Sequence, residues 1–174
     1  MIFNIKRLFI SQRNTRLSVR ETYKMQLEIK RTTSKNIDFI NLVKDLDAYL
    51  KITDGDEHEY YNQFNTIAVL KHVVVAYFNE VPVGCGAFKD FDAISVEIKR
   101  MFVSLDKRGS GIAQKIVSEL EAWAKELGYK KCVLETGTRQ VEAVKFYQKC
   151  SYKKIPNYGQ YANMENSICF EKLL

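Results

Sequence analysis

The alternation of apolar and polar residues predicts the first elements of the chain. After Met25, "LEIKRTT" alternates as a strand does. The segment "NIDFINLVKDLDAYLK" then has apolar residues at helical spacing, and Ser34 is placed to cap that helix. The acidic, aromatic connection "TDGDEHEYYNQFN" follows, for which the pattern predicts at most part of a helix.

Three β-rich runs come next: "HVVVAYF", "VPVGCGAF" and "AISVEIKRMFV", the last from Ala93 to Val103. The first two are separated by "NE", the spacing of a tight hairpin. Together the three runs predict an antiparallel meander.

The apolar period then changes from that of a strand to that of a helix. Gly128 is placed to end a helix of about 16 residues whose apolar face is formed by Ile112, Ile116, Leu120, Trp123 and Leu127. "KCVLET" reads as a buried strand, a second helix runs from about Gln140 to Cys150, and "SICFEKLL" closes the chain as a strand. This order predicts a mixed α/β fold whose strand-helix-strand unit spans residues 93–136.

Composition favours one globular domain, since the 174 residues are 46% hydrophobic and 28% charged. The net charge of +6 is unevenly distributed: residues 1–24 carry +5 and the remaining 150 residues carry +1. We therefore expect a dispensable or disordered basic extension at 1–24 and a nearly neutral domain at 25–174. An arm that binds nucleic acid or anionic lipid is the alternative for the extension.

The sequence also carries information about the cellular compartment and about metal binding. The extension lacks the apolar core and cleavage site of a signal peptide, and no run of 18 apolar residues predicts a membrane span. The four cysteines form no CxxC pair and two histidines accompany them, so we predict no metal site. Cys132 and Cys169 fall in strand-like runs, as buried thiols of a cytoplasmic protein do.

The stretch "KRGSGIA", Lys107 to Ala113, is the strongest chemical signal. A glycine-rich turn from a strand into a helix presents backbone N–H groups at the positive end of the helix dipole, where phosphate binds. The P-loop pattern is absent, and the dinucleotide fingerprint fails because Gln114 stands where its third glycine belongs. The pattern R-x-x-G-x-A fits Arg108 to Ala113, although a tight connection without a ligand has the same appearance.

With "VEIKRMFV" before this loop and "AVKFY" after it, the sequence resembles the GNAT family of acyl-CoA N-acyltransferases, especially its small bacterial members. The resemblance spans Met25 to Leu174 and is most specific over residues 97–152. It implies the GNAT fold, a mixed and mostly antiparallel sheet flanked by helices. It also implies transfer of an acetyl group from acetyl-CoA to a primary amine, through a tetrahedral intermediate.

Two residues depart from the family pattern. Gln140 stands where the family often has asparagine, and this alters a polar contact near the pantetheine arm. Ser151 precedes Tyr152 where the family usually has glycine at a helix end. A non-glycine residue with positive φ there costs about 1 kcal/mol.

The resemblance places the pyrophosphate on the backbone amides of the loop and pantetheine along the preceding strand. The cofactor-binding residues that it implies are Met101, Phe102, Val103, Arg108, Gly109, Ser110, Gly111, Ile112, Ala113, Thr136, Gln140, Phe146, Tyr147 and Lys149. Lys107 and Lys149 are candidates for binding the charged phosphates, and the alternative is that both are simply solvated surface residues.

Three residues are implied in the chemistry. The backbone N–H of Met101 is the oxyanion donor, a contact worth about 3 kcal/mol. Glu97 is the candidate base, sharing a face with Lys99, Met101 and Val103 unless a bulge intervenes. Tyr147 is the candidate acid, since a phenol of pKa ~10 can protonate a thiolate of pKa ~8.5. The structural alternatives are an ion pair for Glu97 and an aromatic packed in the core for Tyr147.

The acceptor side rests on two segments that usually wall the acceptor pocket in the family. Asp54 and Glu57 would attract a cationic amine, Arg139 a carboxylate, while Asn157, Tyr158 and Tyr161 supply hydrogen bonds. A small-molecule or amino-acid-like acceptor is the expectation, and family analogy implies a homodimer. The alternatives are a protein or peptide N-acetyltransferase, and a non-catalytic module that binds CoA, or binds nucleic acid through the basic extension.

Overall fold

The computed structural model describes residues 26–54 and 66–174. The extension at 1–24 and the acidic residue Glu57 lie outside this part of the chain, and so does the side chain of Asp54. None of the described helices is long and apolar enough to cross a membrane.

Within the described residues the chain forms a seven-stranded mixed sheet in the order β1-β2-β3-β4-β5-β7-β6. The strands are β1 (Leu27–Thr32), β2 (His72–Phe78), β3 (Val81–Asp90), β4 (Ser95–Val103), β5 (Lys131–Gly137), β6 (Lys153–Ile155) and β7 (Ser167–Leu173). Neighbouring strands are antiparallel except β4 and β5, which are parallel and joined by a helix. The predicted meander and strand-helix-strand unit are confirmed, whereas the short strand β6 was not predicted.

Three α-helices cover the two faces of this sheet: α1 (Ile37–Asp54), α2 (Ile112–Glu126) and α3 (Val141–Lys149). The alternation of β2 divides the core, because Val73 and Val75 pack under α1 whereas Val74 and Ala76 face α2. Asn36 caps α1 by accepting a hydrogen bond from the N–H of Phe39 at 2.9 Å. The prediction of Ser34 as the cap was therefore wrong.

Local turn chemistry follows the sequence closely. Asn79 and Glu80 both have positive φ, at 48° and 67°, as a two-residue hairpin turn requires. Gly128, with φ of 95°, follows the end of α2. Ser151 has φ of 69° after α3, so the expected strain at this non-glycine helix end is present.

The parallel strands β4 and β5 are paired over only part of their length. Their register joins Ser95–Glu97 to Lys131–Val133 and ends there. Beyond that point β4 continues beside β3 to Val103, while β5 continues beside β7 to Gly137. The two parallel strands therefore diverge and open a gap in the middle of the sheet.

Candidate active site

A cavity of about 120 Å³ lies at the gap between the diverging strands. Its walls come from β4, β5, α1, α3 and the loop before β7: Leu46, Leu50, Ile98, Lys99, Arg100, Met101, Glu135, Thr136, Gly137, Gln140, Ala143, Tyr147 and Tyr161. Five predicted site residues are among them, namely Met101, Thr136, Gln140, Tyr147 and Tyr161.

A β-bulge shapes the β4 wall. The register passes from Cys85↔Phe102 to Ala87↔Lys99, so two residues of β4, Arg100 and Met101, lie opposite the single Gly86. Arg100 has φ of 58°. A Cβ on Gly86 would meet the Sδ of Met101 at 2.5 Å, and glycine therefore makes room for the bulge.

The bulge reverses the side-chain alternation of β4. Met101 and Val103 pack into the α2 side of the core, and Phe102 packs under α1. Glu97 and Lys99 do not share the face of Met101 and Val103, so the uninterrupted alternation is corrected here.

The loop from Arg108 to Ala113 has the shape expected of a phosphate cradle. Gly109 and Gly111 have φ of 77° and 83°, and a Cβ built on either would meet no heavy atom of the described residues within 4 Å beyond its immediate chain neighbours. Ile112 begins α2 and is buried, which fixes the helix N-terminus against the core. The Ser110 hydroxyl donates to the carbonyl of Lys107 at 2.5 Å. The amide donors of this turn thus border open space at the positive end of a helix.

Arg108 links this loop to the edge of the gap. Its Nε donates to the carbonyl of Val103 at 3.2 Å, and its guanidinium contacts Glu142 of α3 at 3.2 Å. The same guanidinium lies 4.5 Å from the ring centroid of Tyr49 in α1. Arg108 therefore joins the end of β4 to helices on both sides of the opening.

Tyr147 is buried in α3 and borders the cavity. Its ring contacts the rings of Tyr152 and Phe170, with centroids 5.6 and 6.2 Å apart. Burial first, and then the charges of Cys150 and Glu135, raise the pKa of its phenol above the usual range. The phenol therefore stays protonated at physiological pH.

Thr136 and Gln140 form a polar edge at the start of α3. The hydroxyl of Thr136 donates to Oε1 of Gln140 at 3.1 Å. The backbone N–H of Gln140 donates to the carbonyl of Gly137 at 3.0 Å. The residue that departs from the family pattern is thus held against β5 and borders the cavity.

Glu97 is almost fully buried, with 1% of its surface exposed. Its carboxylate lies 3.1 Å from the Nζ of Lys89 and 3.5 Å from that of Lys99, and it accepts a hydrogen bond from the hydroxyl of Tyr158 at 3.4 Å. The ion pair weighed as the alternative for Glu97 is present, and Glu97 lies behind the cavity wall.

Glu135 is the carboxylate that borders the cavity, and the sequence analysis missed it. It accepts a hydrogen bond from the hydroxyl of Ser167 at 2.7 Å, which orients it from the neighbouring strand β7. The available signal was a charged residue at the carboxyl end of the buried run "KCVL", the end of a parallel strand where ligands bind.

The predicted acceptor residues of the β6–β7 segment have different roles. Tyr161 is buried and borders the cavity, where its hydroxyl accepts a hydrogen bond from Lys99 at 2.9 Å. Tyr158 packs against it from behind, with ring centroids 5.8 Å apart. Asn157 donates to the carbonyls of Met164 and Ser167, so it holds the segment together.

Three further predicted residues, not yet described, also lie outside the cavity lining. Arg139 is exposed in the turn before α3, Lys149 is exposed at the end of that helix, and Phe146 packs toward the core beside Tyr147. Their predicted ligand contacts stay predictions. Among residues 26–54 and 66–174 no group of three potential metal-ligating side chains is found.

The sequence matches a known protein family and known proteins. Residues 39–152 match the model of the Acetyltransferase (GNAT) family. The chain is 30% identical over 137 residues to a protein of Azospirillum brasilense named IAA acetyltransferase, a match that covers 78% of this chain and 90% of the relative.

Solved structures show the same fold. A putative acyl-CoA N-acyltransferase from Klebsiella pneumoniae superposes with a TM-score of 0.72 at 24% identity, covering 86% of this chain and 98% of that one. A GNAT acetyltransferase from Elizabethkingia anophelis, solved with acetyl-CoA bound, gives a TM-score of 0.64 at 19% identity, covering 85% and 98% of the two chains. The predicted fold and enzyme class are confirmed, and the chain belongs to the GNAT family of acetyltransferases.

Proposed function

We propose that this protein transfers the acetyl group of acetyl-CoA to the primary amine of a small molecule, a class that includes amino-acid-like acceptors. One observation carries the proposal. The gap between β4 and β5 brings an acid (Tyr147), a carboxylate (Glu135) and the bulged backbone at Met101 to one cavity. Acetyl transfer to an amine needs a proton donor, a proton acceptor and an oxyanion donor in one place.

The described residues fit the donor substrate. Acetyl-CoA presents a pyrophosphate, a pantetheine arm and a reactive thioester, and it supplies the carbonyl carbon that the amine attacks. The loop from Arg108 to Ala113 suits the pyrophosphate because its glycine positions are open and its amides lie at a helix N-terminus. The unpaired stretch of β4 suits the pantetheine, whose amides can bond to the strand as a neighbouring strand would.

Glu135 is the base in this proposal. It takes one proton from the acceptor ammonium before the C–N bond forms, because only the neutral amine has a lone pair that can attack the carbonyl carbon. Its carboxylate borders the cavity, whereas that of Glu97 lies behind the wall. Glu97 has a positioning role in this proposal: its carboxylate lies 3.5 Å from the Nζ of Lys99 and holds that lysine side chain in place. The base predicted from the sequence and the base favoured by the geometry are therefore different carboxylates, and their variants distinguish them.

Tyr147 is the acid. It gives its proton to sulfur as the C–S bond breaks, and the N–H of Met101 stabilises the negative charge on the carbonyl oxygen. The burial that raises the pKa of the phenol also disfavours a bare thiolate in the same cavity, so proton transfer between them stays workable. As the tetrahedral intermediate collapses, the nitrogen loses its second proton, which restores the Tyr147 phenol, and the proton held by Glu135 passes to solvent.

The test combines binding with product formation on the full chain. Acetyl-CoA should raise the melting temperature at hundreds of micromolar, and a panel of amines, amino acids and short peptides should yield an acetylated product with equimolar release of CoA thiol. Stabilisation by acetyl-CoA with no acetylated product from any acceptor would favour the non-catalytic alternative. Acetylation of peptides alone would move the acceptor class from small molecules to proteins.

A further inference from the structure

Two consecutive cationic residues of β4 border the same cavity. Side chains of consecutive strand residues normally point to opposite faces. Here the bulge at Arg100, with φ of 58°, turns its side chain to the α1 side of the sheet, where Lys99 also lies because its partner Ala87 packs under α1. Arg100 contacts Asp47 of α1 at 2.7 Å, and Lys99 contacts the hydroxyl of Tyr161 at 2.9 Å. A non-glycine residue in this conformation costs about 1 kcal/mol or more, and such strain is typical of functional sites.

Lys99 has a donor left for a ligand. Its ammonium carries three N–H groups, and its contacts with the described residues are the hydroxyl of Tyr161 and the carboxylate of Glu97 at 3.5 Å. The side chain is 10% exposed. Burial, opposed by the charges of Glu97 and Glu135, lowers the pKa of Lys99. An additional anionic oxygen in the cavity would stabilise this poorly solvated cation.

Arg100 adds a second poorly solvated cation. Its side chain is 4% exposed, and burial lowers the pKa of its guanidinium against the opposing effect of Asp47. A guanidinium is geometrically matched to a carboxylate, which it can bind through two parallel hydrogen bonds. Lys99 and Arg100 together therefore form a cationic wall suited to a carboxylate.

Glu135 forms the opposite wall. Glu97 and Val133 are the last paired residues of β4 and β5, and Lys99 and Glu135 each lie two residues beyond them. The cation and the carboxylate thus stand on the two diverging strands, with the cavity bordered by both. This separation of charge is complementary to a molecule that carries an ammonium and a carboxylate.

We propose that the acceptor is an amino acid or a related amine with a carboxylate close to the reacting nitrogen, and that Lys99 and Arg100 bind this carboxylate while the amine faces Glu135. The inference rests on the proposed acetyltransferase function and narrows its acceptor class. It also assigns the carboxylate site to the cavity wall and not to Arg139, which is exposed outside the cavity lining.

Matched acceptor pairs test the inference. Leucine is compared with leucinamide and 3-methylbutylamine, and phenylalanine with phenylalaninamide and phenethylamine, by kcat/KM at saturating acetyl-CoA. We expect the kcat/KM of at least one amino acid to exceed those of both of its analogues without a carboxylate by about tenfold or more, the range expected when a charged hydrogen-bonding partner is lost. The diagnostic quantity is the ratio of the kcat/KM of the amino acid to that of its analogue, rather than either absolute rate.

Substitutions then locate the carboxylate site. Arg100→Gln and Lys99→Gln should each bring the ratio close to one, and Arg100→Lys should retain part of it because the charge remains without the guanidinium fork. The matched control is Lys89→Gln: Lys89 also contacts Glu97, at 3.1 Å, but does not border the cavity, so the ratio should stay at the wild-type value. Binding of acetyl-CoA, measured for each variant, reports whether the fold is kept.

Failures of the two proposals are distinguishable. Equal or faster acetylation of the analogues without a carboxylate, or a carboxylate preference that persists in both Arg100→Gln and Lys99→Gln, would overturn the inference and leave the acetyltransferase function in place. Absence of acetylation of every acceptor would overturn both proposals together.

Discussion

Glu135 in β5 and Tyr147 in α3 border one cavity, and the charge of Glu135 contributes, after burial and Cys150, to the raised pKa of the Tyr147 phenol. A carboxylate and a phenol that stays protonated at physiological pH therefore border the same small volume. The predictions below follow from this pairing and from the elements that hold it.

The carboxylates of Glu135 and Glu97 are expected to respond differently to substitution. Glu135→Gln should lower kcat about 100-fold, because the amide cannot accept the ammonium proton. Glu97→Gln should have a smaller effect on kcat and a larger one on the KM of the acceptor, since Glu97 holds Lys99 at 3.5 Å. Steady-state kinetics with each variant measures both quantities. A larger loss of kcat in Glu97→Gln would return the role of base to the residue predicted from the sequence.

The raised pKa of Tyr147 sets the alkaline behaviour of the enzyme. A proton donor is active while protonated, so activity that depends on it is lost only as pH rises through its pKa. Because burial raises that pKa above the ordinary value of about 10, kcat should not fall between about pH 7 and pH 9.5 at saturating substrates. A decrease centred near pH 8.5 that disappears in Tyr147→Phe would contradict the assignment.

The position of Arg108 leads to a prediction about the binding of acetyl-CoA. Arg108→Gln should weaken acetyl-CoA binding about tenfold, because a charged donor beside the pyrophosphate loop is lost. Glu142→Gln is the control, since it removes the carboxylate that contacts Arg108 at 3.2 Å. That contact is solvent-exposed, so its loss should leave binding unchanged or slightly tighter. Calorimetric titration measures the dissociation constant for acetyl-CoA in both variants. Equal weakening of binding in the two would show that the contact between Arg108 and Glu142, and not the charge of Arg108, is what matters.

The backbone conformation of Ser151 predicts a stabilising substitution at a position outside the candidate active site. Its φ of 69° is unfavourable for serine and accessible to glycine. Ser151→Gly should stabilise the protein by about 1 kcal/mol, which corresponds to a rise in melting temperature of about 2–4 °C for a chain of this size. Ser151→Ala keeps the strain and should leave the melting temperature near that of the wild type. A destabilised Ser151→Gly would contradict this reading of the helix end.

The fold could be predicted from the sequence where short-range rules decide it. The "NE" hairpin and the end of α2 near Gly128 depend on local backbone conformation, and both are as predicted. The loop from Arg108 to Ala113 was recognised for the same reason. The cap of α1 was predicted at Ser34, however, whereas Asn36 occupies it; serine and asparagine are both good capping residues, so residue type did not identify the right position.

The cavity between β4 and β5 was harder to predict because it depends on pairing between distant strands. No local preference places Arg100 at positive φ; the bulge follows from the register of β4 against β3 and from the room that Gly86 leaves for Met101. Glu135 likewise becomes a site residue only because β5 diverges from β4 after Val133. The short strand β6, with two lysines among its three residues, has little apolar pattern to detect.

The kcat of Tyr147→Phe, measured beside its dissociation constant for acetyl-CoA, tests the central claim most directly. The substitution removes one hydroxyl and keeps the ring that packs against Tyr152 and Phe170. If Tyr147 protonates the departing thiolate, kcat should fall about 100-fold while acetyl-CoA binds within about twofold of the wild type. An unchanged kcat would contradict the account, because Tyr147 would then be an aromatic residue of the core and the proton would come from elsewhere.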